Sequence, residues 1–257
     1  MAVVTFMSDF GYEDHYVAAV KASILKVNPS LRIVDISHSI KPFDVSHGAY
    51  VLSHSFRNFP DGSVHLVALD SVERGPGRVI AVKLEDHFFV GFDTGMFSII
   101  SDQAPAAKVE ITSLNSTFLA RDLLASIAGQ LASGKDIHDM GKRIDDDRKL
   151  FSRQPKLTKR EIVGNVIRVD HYGNLITNIE KPDFEKILEV NGNASYEIQF
   201  GRENHKRIHQ SYDEAEPGDC YILFNSDGHL QIGINKGHAA KLLGLRYDSP
   251  VFIHFNL

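Results

Sequence analysis

The sequence predicts an α/β N-terminal domain with a mostly parallel sheet, followed by a smaller C-terminal antiparallel β-barrel domain. Three observations predict it. In the first half, short runs of β-formers alternate with stretches of helical spacing, the pattern of strands covered by helices. Beyond Glu161 the chain becomes short strands split by turn residues such as Asn191-Gly192, Pro217-Gly218 and Asp227-Gly228. Between the two lies a polar, proline-bearing stretch that includes Asp145-Asp146-Asp147 and Gln154-Pro155-Lys156. The expected domains are therefore 1–145 and 161–257, with 146–160 as a solvated linker in which Pro155 disfavours helix at Gln154.

The first element is Val3-Val4-Thr5-Phe6-Met7, short and rich enough in β-formers to be one buried strand. It breaks at Ser8-Asp9-Phe10-Gly11 and restarts as a helix from Tyr16 to Leu25. Asn28-Pro29-Ser30 ends that helix, and Leu31–Ile36 reads as a second strand. Ile40–Asp44 is a turn segment around Pro42, and Val45–Phe56 has apolar residues at helical spacing. Phe59-Pro60-Asp61-Gly62 signals a turn, and Val64–Leu69 is a third strand, ending before Asp70. Arg78–Lys83 and His87–Gly91 read as a hairpin pair, with Phe92–Gly95 as a loop. Leu123–Leu131 is a helix stopped by Ser133-Gly134. In the second half the expected strands are Ile162–Val169, Ser195–Phe200, Cys220–Asn225, Leu230–Ile234 and Val251–Phe255.

Composition narrows the function. The 257 residues carry 28 Lys and Arg against 33 Asp and Glu, a net charge of −5, with the signs mixed. No basic block points to nucleic acid, and no polybasic or amphipathic segment points to a membrane surface. The single cysteine, Cys220, rules out a disulfide framework and a cysteine-rich metal site. The opening residues lack the charged region and long apolar stretch of a signal peptide, and no apolar run reaches the roughly 18 residues of a membrane helix. A cytoplasmic protein is expected.

Strand, tight turn with an acid at its tip, then helix places Asp9 where open α/β sheets bind ligands. A carboxylate there can accept from two adjacent sugar hydroxyls, one per oxygen. The same residue can equally cap the following helix. Three further polar loops follow apolar strands: Asp70 to Arg78, Asp170 to Asn178, and Asn225 to Gly228 with Ile234 to Ala240 beyond it. His38, His47, His54 and His65 stand on separate elements and form no compact metal-ligand set, so no metal is expected. Phosphate-cradling glycine motifs and the Gly-x-Ser-x-Gly elbow are absent.

Taken together and in order, the loops resemble a known family, the S-adenosylmethionine (SAM) hydrolases, or SAM hydroxide adenosyltransferases, with their fluorinase and chlorinase relatives. The matching residues are Ser8-Asp9-Phe10-Gly11 with Asp14 and Tyr16-Val17, Asp35-Ile36-Ser37-His38 with Phe43-Asp44, Phe59 to His65, and Phe118 with Arg121-Asp122. They continue through Tyr172-Gly173-Asn174 with Thr177-Asn178, Asn225-Ser226 with Gly228 and Leu230, and Ile234-Asn235 with Gly237 and Ala239-Ala240. The resemblance implies a homotrimer with sites at subunit interfaces, no cofactor, and SAM as substrate. It implies that Asp9 holds the ribose hydroxyls, Phe118 packs the adenosyl group, Asp170 meets the methionine ammonium and Ser226 the carboxylate. Tyr172, Asn174, His238 and Ala239 then lie on the adenine side, and Ser71 is a further substrate contact.

The implied reaction is attack of water or hydroxide on the adenosyl 5′ carbon, releasing methionine and forming adenosine. The sulfonium is already an activated leaving group, so the protein's part is to align the nucleophile and exclude other solvent. Asp70 and Arg78 are the implied catalytic pair. The chain departs from the family at three places. The loop after Asp70 is rebuilt as Ser71-Val72-Glu73-Arg74-Gly75-Pro76-Gly77-Arg78, so that Arg74 is a second candidate arginine. Leu119 stands where the family carries histidine, and His238 where it carries asparagine. Two other outcomes are consistent with these departures: a protein that binds SAM or adenosine without turnover, and a SAM-dependent halogenase.

Overall fold

Strand β1 (Val3–Ser8) buries side chains on both of its faces: Val4 and Phe6 enter one core cluster and Met7 the other. That is the signature of a strand inside a sheet covered on both sides. The computed structural model describes residues 3–69 and 77–256. The chain separates into two compact units, Met1–Ser152 and Arg153–Leu257.

In the N-terminal unit β1 is followed by α1 (Tyr16–Val27), β2 (Arg32–Ser37), α2 (Val45–Ser53), β3 (Val64–Ala68), β4 (Val79–Leu84) and β5 (His87–Phe92). Then come β6 (Ala107–Ile111), α3 (Ala125–Ala132) and β7 (Lys142–Arg143). The strands form one sheet in the order β2-β1-β3-β5-β4-β6-β7. β1, β2, β3 and β5 pair in parallel, and β4 runs antiparallel to both β5 and β6. Side chains alternate between the faces with the strand period: Val64, Leu66 and Ala68 of β3 pack with Val17, Val20 and Ile24 of α1 and with α3, while Val67 packs with Ala49 and Leu52 of α2. The chain leaves β1 toward β2 on one side and toward β3 on the other, so strand order reverses at β1. The crevice at the carboxyl end of such a strand is the natural ligand position of an open α/β sheet.

The C-terminal unit contains β8 (Lys156–Leu157), β9 (Glu161–Val169), β10 (Leu175–Glu180), α4 (Lys181–Val190), β11 (Tyr196–Phe200) and β12 (Glu203–His205). It continues with β13 (Cys220–Phe224), β14 (His229–Ile234), α5 (Ala239–Leu242) and β15 (Pro250–Phe255). Every strand pairing in it is antiparallel, in the order β12-β11-β15-β9-β10-β14-β13, with β8 on β9. A large apolar cluster fills it, with Phe184 of α4 against Tyr196, Phe224 and Phe255, and a smaller one joins Ala215, Tyr221 and Leu223.

Several elements differ from expectation. The stretch 45–56 is helical only to Ser53 and closes in a 3₁₀ turn, Phe56–Asn58. The loop expected across 170–178 holds only to Asn174, because Leu175 starts β10. Helix α4 was not expected, since charged side chains interrupt its apolar positions and only Phe184 is buried. The first half of the expected connector is tied to the N-terminal unit: Asp147 pairs with Lys108 and Lys149, Arg148 N donates to Asp93 Oδ1 at 3.0 Å, and Leu150 N to Ser98 Oγ at 2.9 Å.

Candidate functional site

Asp9 follows β1 at the carboxyl edge of the N-terminal sheet, at the strand where the order reverses. It does not cap α1, whose N-cap position is His15 with no side-chain cap bond. Its Oδ2 instead accepts from Phe43 N at 3.1 Å. Phe43 adopts φ 62°, in the left-handed region that costs a bulky residue, and its side chain stays exposed. A second backbone bond, Gly11 N to His38 O at 2.8 Å, ties the same two loops together.

Behind Asp9 runs a polar line, buried at Ser8 and His38 and partly exposed at Asp35 and Lys21. Ser8 Oγ lies 2.7 Å from His38 Nδ1, His38 Nε2 lies 3.2 Å from Asp35 Oδ1, and Lys21 Nζ donates to Asp35 Oδ2 at 2.6 Å. Burial pushes the His38 imidazole below its ordinary value and so favours the neutral ring, against the opposing pull of Asp35. Burial raises the Asp35 carboxyl, but the bonds from Lys21 and His38 more than offset it and leave it lowered. The serine, histidine and aspartate have the composition of a hydrolytic triad. Ser8 and His38 are both 0% exposed, however, so the hydroxyl has no path to a substrate and the line acts as a brace for the loop.

Beside Asp9 stands an aromatic wall. The Phe118 ring lies 5.9 Å from Phe10 and 5.4 Å from Tyr16, in edge-to-face contacts. Arg121 covers the other side of Phe118 at 5.2 Å and is held by Asp122, with Nε to Oδ1 at 2.6 Å. Arg121 and Ser116 hold the Asp122 carboxyl down at about 2. Leu119 precedes a π-helical turn, Ala120–Leu124, and packs on the core, so it brings no polar atom to this wall. Phe118 was legible from the sequence; Phe10, Tyr16 and Phe43 were visible as motif residues but not as parts of the site.

Asp70 and Ser71 lie outside the described residues, as does Arg74. Arg78 is described, and three carboxylates take it: Asp146 at 2.7 Å, Glu110 at 3.3 Å and Asp93 at 3.7 Å. The Asp146 bond leads the causes that raise its pKa. Its charge is thus more than balanced, and it anchors the 146–148 segment to the sheet edge.

The C-terminal unit has its own open cleft of about 720 Å³, lined by Asp170, Tyr172, Asn174, Tyr221, Gln231 and His238 among others. Asp170 Oδ1 accepts from Asn174 N and Oδ2 from Asn174 Nδ2, both at 2.8 Å. Tyr172 is 77% exposed. The His238 ring packs on Gly173, where φ is +87° and a Cβ would overlap the imidazole, and its Nδ1 accepts from Lys241 N at 3.4 Å. An asparagine can make the same cap, which explains how histidine fits there. Two expected contacts fall elsewhere. Ala239 is 0% exposed inside the core, because α5 turns it inward, and it offers no surface to a ligand. Ser226 is exposed in the turn at the opposite end of the β13–β14 hairpin and does not line the cleft. A ligand reaching both ends would lie along that hairpin.

Among the described residues no group of three or more His, Cys, Asp or Glu is placed to hold a metal. Nor does any helix among them have the length and apolarity to cross a membrane.

The N-terminal sheet is mixed rather than mostly parallel, since β4, β6 and β7 pair antiparallel, and the chain combines this mixed-sheet unit, with an acid at its switch point, and an antiparallel unit with an acid-lined cleft. Comparison with known proteins makes the class specific. The SAM hydroxide adenosyltransferase N-terminal domain matches residues 4–141 and the C-terminal domain of the same family matches 164–252, and the chain belongs to that family. An (R)-S-adenosyl-L-methionine hydrolase of Methanocaldococcus jannaschii is 31% identical over 98% of this chain and 95% of its own. One of Salinispora tropica is 29% identical over 94% of each. A crystal structure of an uncharacterized conserved protein from Thermotoga maritima matches with a TM-score of 0.87 at 28% identity, covering 98% of this chain and 100% of that one.

Proposed function

We propose that this protein is an enzyme that hydrolyses (R)-S-adenosyl-L-methionine to adenosine and L-methionine, without a cofactor. Water attacks the 5′ carbon, the carbon–sulfur bond breaks, the sulfur keeps the bonding pair as the neutral thioether of methionine, and the water gives up one proton. The observation that carries the reading is Asp9, set at the switch point of the sheet beside the Phe10–Tyr16–Phe118 wall. Family membership and the names of the relatives support the reaction type.

In this reading Asp9 accepts from the ribose hydroxyls, and the aromatic wall flanks the adenosyl group. Asp170 meets the ammonium, Tyr172 and His238 flank the base, and Ser226 and Ser71 make further polar contacts. Asp70 holds the nucleophilic water, while Arg78 anchors the edge around it. Leu119 keeps the region apolar, which limits solvent competing with the positioned water. The homotrimer implied by the resemblance would let one subunit's N-terminal unit and the next subunit's C-terminal unit, a small β-barrel, serve one ligand; light scattering tests it. The reaction is tested by incubating the protein with each sulfonium epimer of SAM and separating the products. Adenosine and methionine in equal amounts from the (R) epimer are expected. Ligand recovered unchanged at the uncatalysed rate would overturn the enzyme reading, and 5′-halogenated adenosine formed in the presence of halide would replace it with the halogenase.

A further inference from the structure

We propose that His38 is a positioning residue for substrate, fixing the turn that aims Asp9 at the ribose. This rests on the reading of Asp9 as the acid that accepts from the ribose hydroxyls. The arrangement begins with a shift of register between β1 and β2. Phe6 pairs with Asp35 but Met7 with Ser37, so Ile36 is an extra residue. Side chains alternate along a strand, and in a regular one Asp35 and His38 would point to opposite faces. The extra residue turns both to one face and brings His38, rather than Ser37, abreast of Ser8.

His38 then holds the turn on both sides of Asp9. Lys21 Nζ, donating to Asp35 Oδ2 at 2.6 Å, keeps that carboxyl ionised, so Asp35 can only accept. The ring nitrogen that faces it, Nε2 at 3.2 Å from Oδ1, therefore carries the hydrogen. Burial keeps the ring neutral, so Nδ1 accepts, and the Ser8 hydroxyl donates to it at 2.7 Å. The Ser8 oxygen in turn accepts from Phe10 N at 3.4 Å, and Gly11 N donates to His38 O at 2.8 Å. Phe6 and Tyr12 pack edge-to-face on the imidazole at 4.5 and 5.2 Å. Asp9 lies between these anchored residues, and its carboxylate reaches Phe43 N. Moving the turn would leave the buried Ser8 hydroxyl and His38 Nδ1 unmatched, which favours one placement of the acid.

The test sets His38→Asn against His38→Gln. The shorter amide puts a polar atom near the place of Nδ1 and can still take the Ser8 hydroxyl; the longer one reaches the place of Nε2 and loses it. His38→Gln should raise the KM for SAM and the Kd for adenosine together, each about tenfold, with kcat within about threefold. His38→Asn should recover most of both. Ser8→Ala, which removes the partner and leaves the ring, should match His38→Gln and serves if that variant fails to fold, with the thermal midpoint as control. In an Asp9→Ala background His38→Gln should add less than about twofold, because no carboxylate is left to aim. Equal losses in the two amide variants, unchanged affinities in folded Ser8→Ala, or an undiminished effect in the Asp9→Ala background would overturn the positioning role while leaving the hydrolase reading intact. A wild-type protein that neither binds SAM nor forms adenosine would instead remove the hydrolase reading and this inference together.

Discussion

The two units hold their acids by different physical means. Asp9 is placed by topology: the reversal of strand order at β1 makes the crevice, and bonds to Phe43 and His38 pin the loop. Asp170 is held within its own turn, by the backbone N–H and the amide of Asn174. A position braced across strands fails by substitutions far away in sequence, whereas one braced within a turn depends on that turn alone. Rigidity thus comes from strand pairing in one unit and from a local turn in the other.

The largest expected effect concerns Arg78. If it anchors the edge, Arg78→Ala leaves the Asp93 side chain, which is 2% exposed, without its Arg78 partner and held by the Arg148 N–H, and costs about 3–5 kcal/mol, the range for breaking a buried pair. A lowered urea midpoint checks this. A variant of native stability that has lost only turnover would return Arg78 to the nucleophile and blur the contrast between a unit braced across its strands and one braced within a turn. Next comes Asp9→Ala. Two charge-assisted bonds to ribose at about 1.5–3 kcal/mol each predict a loss in adenosine affinity of at least about a hundredfold. Calorimetry with adenosine decides it, since adenosine carries the ribose but not the amino acid. A loss confined to SAM would move Asp9 away from the sugar.

The sequence carried the elements because their signals are strong: short runs of β-formers in β1 and β3, and Val17, Val20 and Ile24 on one helical face. Asp9, Asp170 and Tyr172 could be singled out because each lies in a polar loop after an apolar strand, and Phe118 only through the resemblance to the family. The sequence did not carry α4, whose single buried side chain leaves almost no periodic signal. Neither Arg78's commitment to Asp93, Glu110 and Asp146 nor Tyr221's to Asn174 was legible, since each joins residues brought together only by strand pairing. Ala239 misled for the converse reason: a motif position names a residue but not which way a short helix turns it.

A smaller effect sharpens the C-terminal side. Asp170→Asn keeps the volume but replaces an acceptor with a donor facing Asn174 Nδ2. SAM affinity should fall by about 1.5–3 kcal/mol, roughly ten- to a hundredfold, with adenosine affinity nearly unchanged. Paired titrations with the two ligands check this, and equal losses would place Asp170 at the nucleoside end.

The last comparison sets the units against each other by acid sensitivity. The N-terminal unit buries His65 between Thr5 and His87, with Thr5 Oγ1 at 2.7 Å and His87 Nδ1 at 3.1 Å. Burial pushes His65 down to about 3, and burial also lowers His87, against the pull of Asp61, Glu85 and Asp86, and His38. In the C-terminal unit burial lowers His205, stacked on Phe200. A histidine whose folded pKa is depressed stays neutral while the unfolded chain takes up a proton. Stability is therefore whole above the unfolded pKa of about 6.5 and falls as the pH drops below it, by up to about 1.4 kcal/mol per pH unit for each such group. Between pH 7 and pH 5, above the range where the carboxylates titrate, the N-terminal unit should lose more protection than the C-terminal one in hydrogen exchange followed by mass spectrometry. His65→Phe should lower stability at pH 7, by leaving the Thr5 hydroxyl without its partner, yet flatten this acid slope; a slope unchanged by that substitution would show that other groups in the unit carry it.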